Sequence, residues 1–176
     1  KMVNFGLAYG MSDFGLSSRA GISQADAREF ITGYFAAYSG ISRYMLHIRE
    51  TAAEQGYVAT LLGRKRQIPE LTSSNRGLKA AGERMAINMP IQGTAADIIK
   101  VAMIRIHDRL REEGRGARLV LQVHDELLLE TPETETSAIK ELVRQEMCGA
   151  YPLDPPLAVD VGVGEDAHLA IAQAAE

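Results

Sequence analysis

The stretch LVLQVHDELLLE at residues 119–130 contains two largely apolar runs separated by a short acidic segment. The runs, 119–123 and 127–130, have the length and the aliphatic composition that are typical of β-strands. The residues between them are polar, and too few for anything but a tight connection. The sequence therefore predicts an antiparallel hairpin with a polar tip.

The sequence before this hairpin has a helical pattern. Apolar residues recur at helical spacing from about Asn75 to Glu113, and Gly114 is a typical terminator. Pro90 lies inside this stretch, and proline lacks an amide hydrogen and clashes with the preceding turn. We therefore expect the helix to be interrupted at Pro90.

The sequence after the hairpin predicts one more helix and one more strand. Thr131, Pro132 and Glu133 have the order of a helix N-cap, a first helical residue and an acidic first turn. We expect this helix to end near Cys148. The apolar stretch 157–163 predicts a last strand.

The first third of the chain is also mainly helical in pattern. Glycines close two of the predicted helices, and Ser23 with Asp26 resembles a capping box at the start of another. Helices are predicted at 1–9, 23–38 and 42–55, and a short basic hairpin at 57–68. The fold class is therefore α+β, with long helices and a small antiparallel sheet.

Composition narrows the class of protein. The chain has 176 residues, 46% of them hydrophobic and 24% charged, which is ordinary for a globular protein and excludes disordered, collagen-like and disulfide-scaffold chains. The single cysteine, Cys148, cannot form an internal bridge and fits a reducing compartment. No apolar run approaches the ~20 residues of a membrane span, so no membrane association is expected. Because the chain opens with Lys1 in mid-pattern, we expect it to be a fragment of a longer polypeptide.

The net charge of −4 is unevenly distributed. Residues 1–59 are neutral in sum, whereas residues 60–118 carry 12 basic and 6 acidic side chains. Residues 119–176 carry 2 basic and 12 acidic side chains. The middle third favours a polyanion partner, although its cations could equally decorate solvated helix faces.

Lys1, Phe5 and Tyr9 are spaced by four residues and therefore share one stripe of a helix. An ammonium can pair with phosphate, and aromatic rings can stack on bases. The alternative is an amphipathic helix in which both rings belong to the core.

Arg84, Asn88 and Gln92 have the same spacing of four. All three side chains can donate hydrogen bonds to acceptors in a minor groove. The alternative is a solvated polar face. Neighbouring apolar residues supply the core-facing surface and leave this stripe free to point elsewhere: Met85, Ile87, Met89 and Ile91.

His124, Asp125 and Glu126 form the tip of the predicted hairpin. A carboxylate held at such a tip is exposed and suits a divalent cation. The alternative is plain turn chemistry, since Asp is a favoured turn residue. His124-Asp125 is also the dipeptide of the HD metal phosphohydrolases, although their site needs converging histidines on helices.

Four stretches of the sequence resemble motifs of one known protein family. KMVNFGLAYG (1–10) resembles the fingers helix of the family A DNA polymerases, the bacterial DNA polymerase I type, and TLLGRKR (60–66) resembles their basic hairpin. ERMAINMPIQGTAAD (83–97) is similar to the long helix behind the primer–template, and LQVHDE (121–126) to the palm motif with a catalytic aspartate. The motifs occur in family order and cover most of the chain.

The resemblance implies template-directed nucleotidyl transfer with two Mg²⁺ ions in the complete site. It makes Asp125 a catalytic metal ligand and Glu126 a supporting carboxylate. Lys1 would bind the incoming deoxynucleoside triphosphate, and Tyr9 would guard the nascent pair. Phe5 would pack beside sugar and base, where phenylalanine is associated with poorer acceptance of dideoxynucleotides than tyrosine.

The resemblance also implies contacts with primer–template DNA. Arg84, Asn88 and Gln92 would follow the minor groove or the template, and His124 the primer end. The basic hairpin would contribute Arg64 and Arg66. Residues 1–75 would be fingers and 76–176 a palm portion, in a bacterial cytoplasmic, nucleoid-associated protein that acts in DNA replication and repair.

The sequence departs from the family pattern in one important respect. The family needs a second metal-binding aspartate from an earlier palm motif of the kind Asp-Tyr-Ser-Gln-Ile-Glu, which this chain lacks, as it lacks the thumb and the arginines that usually precede Lys1. One carboxylate cluster cannot clamp two ions. We therefore expect the chain alone to be inactive and to need the remaining palm and thumb segments as partners. A non-catalytic nucleic-acid-binding module is the alternative.

Overall fold

The computed structural model describes residues 2–167 and residue 170. The chain divides into two compact units, an N-terminal unit up to Thr94 and a C-terminal unit from Ala95 onward. Helices dominate, and the strands form two separate two-stranded antiparallel sheets. The predicted α+β class is therefore confirmed. Within the described residues, no helix combines the length and the apolar character that crossing a bilayer would require.

Four helices open the N-terminal unit: α1 (Met2–Ala8), α2 (Asp13–Ala20), α3 (Gln24–Ala37) and α4 (Ser39–Gln55). The Ser23 hydroxyl caps α3 by accepting from the Asp26 amide at 3.1 Å, as the capping-box pattern predicts. Gly56 follows α4 with a φ of 76°, which glycine adopts without strain. Helix α2 is absent from the sequence-based predictions, although Ser12 caps its start in the same way.

A small hairpin follows α4. Strands β1 (Tyr57–Ala59) and β2 (Lys65–Gln67) pair antiparallel, with Tyr57 opposite Gln67. The hairpin packs on the core of the unit, which it shares with α4 and the next helix. That core consists of Ala52, Val58, Ile68, Leu71, Ala86 and Met89.

The long helix α5 (Arg76–Glu112) has 37 residues and passes through Pro90 without a break. The predicted interruption at Pro90 is therefore wrong. A proline inside a helix costs about 3 kcal/mol, and burial of Ile87 and Met89 on the preceding turn offsets this. The helix bond that proline removes is the one to the Ala86 carbonyl, four residues earlier. The Pro90 carbonyl itself accepts from the Thr94 hydroxyl at 2.5 Å.

The C-terminal unit contains the second hairpin, β3 (Arg118–Val123) and β4 (Glu126–Glu130), followed by α6 (Thr136–Cys148). The predicted hairpin is confirmed, with a bulge between Leu119 and Leu121. One face of the hairpin packs on a core formed by the end of α5 and by α6. The buried members of this core are Ile106, Leu110, Ala117, Ile139, Leu142 and Val143.

Two predictions for the end of the chain are wrong. Pro132 is extended (φ −57°, ψ 140°), and a short 3-10 turn, Glu133–Glu135, precedes α6, so the helix begins later than expected. Residues 157–163 form no strand. A strand needs a neighbour for its backbone hydrogen bonds, and neither of the two described sheets extends to these residues.

A charge network fixes the end of α5 against α6. Arg109 donates to Glu113 on its own helix at 2.8 Å and to Glu146 on α6 at 3.0 Å. Arg115 donates to the other oxygen of Glu113 at 2.8 Å. Hydrogen bonds from Arg115 and Arg109 hold the pKa of Glu113 below its ordinary value, so the network stays ionised at neutral pH.

Candidate functional site

The tip of the second hairpin is a two-residue turn. Val123 pairs with Glu126, which leaves only His124 and Asp125 to reverse the chain. His124 has a φ of 55°, and no other non-glycine residue in the described part of the chain has a positive φ. Asp125 and Glu126 are exposed at this tip. The predicted acidic tip is thus present, on a hairpin whose other face is anchored in a core.

The donor set at this tip fits magnesium that is shared with a substrate. Mg²⁺ prefers oxygen ligands and is usually held by one or two carboxylates together with substrate phosphates. Asp125 and Glu126 are consecutive in the sequence and both exposed, so each carboxylate is open to a cation from solvent. Across residues 2–167 and 170, no group of three or more His, Cys, Asp or Glu side chains is arranged to hold a metal.

Phe5 of α1 and Tyr9, the residue that follows this helix, face the same way. The rings of Phe5 and Tyr9 stack with centroids 6.3 Å apart and planes 25° from parallel. Phe5 is 53% exposed, so it is not a core residue, contrary to the amphipathic alternative. Lys1, the third member of the predicted stripe, lies outside the described residues.

The end of α1 packs on α5 beside the second predicted stripe. Gly10 has a φ of 84°, and a Cβ placed there would lie 3.5 Å from Arg84 Cγ and 3.5 Å from Ile87 Cδ1. The stacked rings of α1 and the side chain of Arg84 therefore belong to neighbouring parts of the N-terminal unit.

Because α5 is continuous, Arg84, Asn88 and Gln92 share a face. Arg84 and Gln92 are exposed, and Asn88 is half-buried. The Asn88 Oδ1 atom is buried and has no hydrogen-bond partner among the described residues. Ile91 is 44% exposed, contrary to its predicted place in the core. Seven residues advance a helix by about 700°, so Ile91 lies on the same face as Arg84.

Arg64 fixes the basic hairpin to α5. Its Nη2 atom donates to the Gly93 carbonyl at 3.0 Å, one residue beyond Gln92. A second connection is the amide of Leu61, which donates to the Thr94 hydroxyl at 3.0 Å. A Cβ at Gly93 would lie 2.7 Å from Thr60 Cγ2, so only glycine permits this approach.

The remaining cations of this hairpin are exposed. Arg66 Nη2 lies 3.5 Å from the sulfur of Met85, the residue after Arg84. Lys65 Nζ lies 4.4 Å from the centroid of the Tyr57 ring, a cation–π contact. Arg66 and Lys65 therefore present positive charge near the Arg84 stripe.

The predicted site residues fall into one group in each unit. The N-terminal unit brings together α1, the basic hairpin and the α5 stripe, and the C-terminal unit carries the acidic tip. Sequence reasoning missed the anchoring role of Gly93 and Thr94. It also missed Gln122, whose side-chain amide donates to the His124 carbonyl at 3.0 Å. No sequence motif signals this last contact, because it depends on the turn geometry.

Comparison with known proteins identifies one protein family over most of the chain. The family model for DNA polymerase family A matches residues 1–168. DNA polymerase I of Mycobacterium tuberculosis (H37Rv) is 51% identical over 164 residues, 93% of this chain and 18% of that protein. DNA polymerase I of Pseudomonas aeruginosa is 49% identical over 171 residues, 96% of this chain and 19% of that protein.

A solved structure matches equally well. The POL domain of Pol1 from M. smegmatis, in complex with DNA primer-template and dNTP, superimposes with a TM-score of 0.92 at 45% identity. The match covers 99% of this chain and 30% of that one. The chain spans about a fifth of the length of the curated relatives it matches.

Proposed function

The chain belongs to DNA polymerase family A, and we propose that it forms the fingers and part of the palm of a DNA-directed DNA polymerase of DNA replication and repair. The observation that carries the proposal is the exposed Asp125-Glu126 tip on a core-anchored hairpin, in a chain that matches the family from residue 1 to 168. An acidic tip of this kind suits nucleotidyl transfer because its carboxylates can hold the metal ions that neutralise the negative charge building up around phosphorus.

The proposed reaction is attack of a primer 3′-hydroxyl on the α-phosphorus of a deoxynucleoside triphosphate, with loss of pyrophosphate. Two bound Mg²⁺ ions would supply activation of the hydroxyl and charge neutralisation at the leaving group. Asp125 would contribute a carboxylate ligand, and Glu126 a supporting one. A second aspartate would come from a palm segment that this chain does not contain.

Nucleotide binding is assigned to α1 and to the residues that flank it, Lys1 and Tyr9. Lys1 would pair with the triphosphate as a compact charge. The exposed Phe5 ring would pack on the sugar and base, and Tyr9, stacked against it, would cover the nascent pair. Base–aromatic stacking contributes about 1–3 kcal/mol per base, enough to favour a correctly seated pair.

DNA binding is assigned to the α5 stripe, the basic hairpin and the turn. Arg84, Asn88 and Gln92 would contact the minor groove, whose acceptors are similar for all correct pairs, so the contact tests pair shape rather than sequence. Asn88 is half-buried, and its Oδ1 atom has no hydrogen-bond partner among the described residues. Its side-chain NH₂ group would donate to the groove acceptors. His124 would contact the primer end, and the cations of the hairpin, Arg64 and Arg66, the phosphates.

The motifs also assign the two parts of the chain to subdomains of the polymerase. Residues 1–75 would be fingers and residues 76–176 a palm portion, completed by palm and thumb segments of the same polymerase. The whole enzyme would act on bacterial chromosomal DNA in the cytoplasm. The HD-hydrolase alternative has no support, because His124-Asp125 lies in a hairpin turn, and the family match is to polymerases.

A chimera tests the proposal. This chain would replace the matched 164-residue stretch of the M. tuberculosis polymerase, and primer extension and DNA affinity would be measured for the chimera and its Asp125→Ala variant. We expect the chimera to extend primers, and Asp125→Ala to lose at least about 10³-fold in kcat with little change in DNA Kd, because a metal ligand is removed but no phosphate contact.

Asp154→Ala is the matched control, since Asp154 is also an exposed aspartate of the C-terminal unit but does not line the groove that contains Asp125 and Glu126. It should retain the activity of the chimera. If Asp125→Ala changed neither turnover nor DNA binding, the chain would be a non-catalytic binding module. If the chimera folded but did not extend primers, the proposed function would be wrong.

A further inference from the structure

The His124-Asp125 turn is held in a conformation that its residues do not favour. A two-residue hairpin takes a type I′ turn when φ is positive at both central residues, and a type II′ turn when it is positive only at the first. Here φ is positive at His124 and not at Asp125, so the turn belongs to the II′ class. That first position usually requires glycine, because a side chain there is strained.

The competing type I′ turn is within reach of this sequence. It would place Asp125 at positive φ, which Asp tolerates better than most residues. The two turns differ mainly in the orientation of the peptide group between the central residues. A flip of the His124–Asp125 peptide would therefore move the chain between them and re-aim the Asp125 carboxylate.

Gln122 fixes that peptide group. Its Nε2 atom donates to the His124 carbonyl oxygen at 3.0 Å, which is within normal hydrogen-bond distance. Gln122 lies in β3 opposite Leu127, on a strand pair whose core face is anchored, so the donor is held by a fixed backbone. A flipped peptide would turn the carbonyl away from this donor.

We propose that Gln122 is a positioning residue for Asp125: it holds the His124–Asp125 peptide in the II′ orientation and so keeps the carboxylate aimed at the reacting centre. The proposal rests on the proposed polymerase function, in which Asp125 is a metal ligand. Gln122 itself touches neither the nucleotide nor the metal in this role.

The test uses the M. tuberculosis chimera with Gln122→Met and Gln122→Ala. Methionine is close to glutamine in size but has no N–H to donate. Partners that orient a metal ligand typically contribute about 10- to 100-fold to activity. We expect both variants to lower kcat by about that factor, while the KM for the nucleotide and the Kd for primer–template change less than about twofold.

Gln145→Met is the matched control, because Gln145 is another glutamine of the C-terminal unit whose side-chain amide donates to a neighbour, Glu141, at 2.9 Å. It should leave kcat unchanged. A crystal structure of the Gln122→Met chimera provides a readout that does not depend on activity. We expect Asp125 at positive φ there.

The outcomes separate the proposal from the function on which it rests. An inactive chimera with glutamine at position 122 would contradict the proposed function. An active chimera whose Gln122 variants keep full kcat, or whose turn stays II′ in Gln122→Met, would overturn the positioning role. Weaker DNA binding at unchanged kcat would also overturn the positioning role, because it would indicate that Gln122 contacts DNA directly.

Discussion

At the scale of single residues, Phe5 is the most informative side chain of α1. Its ring is half exposed and stacked on Tyr9, so it is free to meet a ligand and is held in one orientation. A phenyl ring offers packing but no hydrogen bond. In the proposed nucleotide site, a nucleotide that lacks its 3′-hydroxyl would therefore find no replacement for the lost polar group.

The missing hydrogen bond predicts the effect of Phe5→Tyr. A phenol hydroxyl at this position would supply a hydrogen bond near the triphosphate, and such bonds to charged groups contribute about 1.5–3 kcal/mol. In the chimera we expect the variant to raise kcat/KM for a dideoxynucleotide relative to the deoxynucleotide by at least about tenfold. Chain-termination assays measure this ratio, and Phe30→Tyr on α3 is the control. An unchanged ratio would remove Phe5 from the nucleotide site.

At the scale of elements, the junction between the basic hairpin and α5 depends on Gly93. Alanine is the better helix former by about 1 kcal/mol, but a Cβ at Gly93 would lie 2.7 Å from Thr60 Cγ2. Overpacking of this kind costs about 1–3 kcal/mol. We expect Gly93→Ala to lower the Tm of the chain by several degrees, and to speed hydrogen exchange at the Leu61 amide, which is bonded to Thr94.

Gly33→Ala is the matched control for this prediction. Gly33 also lies inside a helix, α3, but a Cβ added there would meet no neighbouring atom within 4 Å. The substitution should therefore raise the Tm slightly, through helix propensity alone. Equal effects of the two substitutions would show that the hairpin does not press on Gly93.

The same hairpin predicts how DNA affinity depends on salt. Each phosphate contact steepens the log–log salt dependence by about 0.9. Arg66→Ala removes an exposed cation and should flatten the slope measured for the chimera by about that amount. Arg64→Ala should flatten the slope equally, and it also removes the hydrogen bond that holds the hairpin to the Gly93 carbonyl. Titrations between about 50 and 200 mM salt, the range in which such losses are large, measure the slope. Arg144→Ala is the control, and an unchanged slope would place the hairpin away from DNA.

Elements defined by local signals were predictable, and elements defined by distant contacts were not. The Ser23 cap and Gly56 act within one turn of the chain, and the sequence alone identifies them. Continuity through Pro90 depends instead on tertiary packing, in which Ile87 and Met89 of the preceding turn are buried. The stretch 157–163 has strand-like composition, but no sequence pattern reveals whether a neighbouring strand is present.

The positions of the candidate residues on their helices and turns could be predicted from the sequence, but their hydrogen bonds could not. The acidic tip and the stripe of Arg84 and Gln92 follow from spacing and exposure. The guanidinium of Arg64 is different, because it bonds a helix carbonyl 29 residues away, which periodicity cannot anticipate. The bond from Gln122 to the turn is local but was missed for another reason: it requires a positive φ at His124, which the sequence does not predict.

At the scale of the whole molecule, the distribution of charge separates two tasks. Residues 60–118 carry an excess of six positive charges, whereas residues 119–176 carry an excess of ten negative charges and include the acidic tip. Positive charge suits phosphate binding, and a local excess of carboxylates suits cations. Both features fit a polymerase portion that meets DNA and metal with different parts of the chain.

One acidic tip is nevertheless too little for catalysis. Two metal ions about 4 Å apart need carboxylates on more than one element to hold both, and the described residues offer no cluster of three metal-binding side chains. We therefore predict that the isolated chain shows no primer extension above background. The M. tuberculosis polymerase without its matched stretch should be equally inactive, and adding this chain to it as a second polypeptide should restore extension. Restored activity should disappear with Asp125→Ala, whereas Asp125-dependent extension by the isolated chain would contradict the prediction.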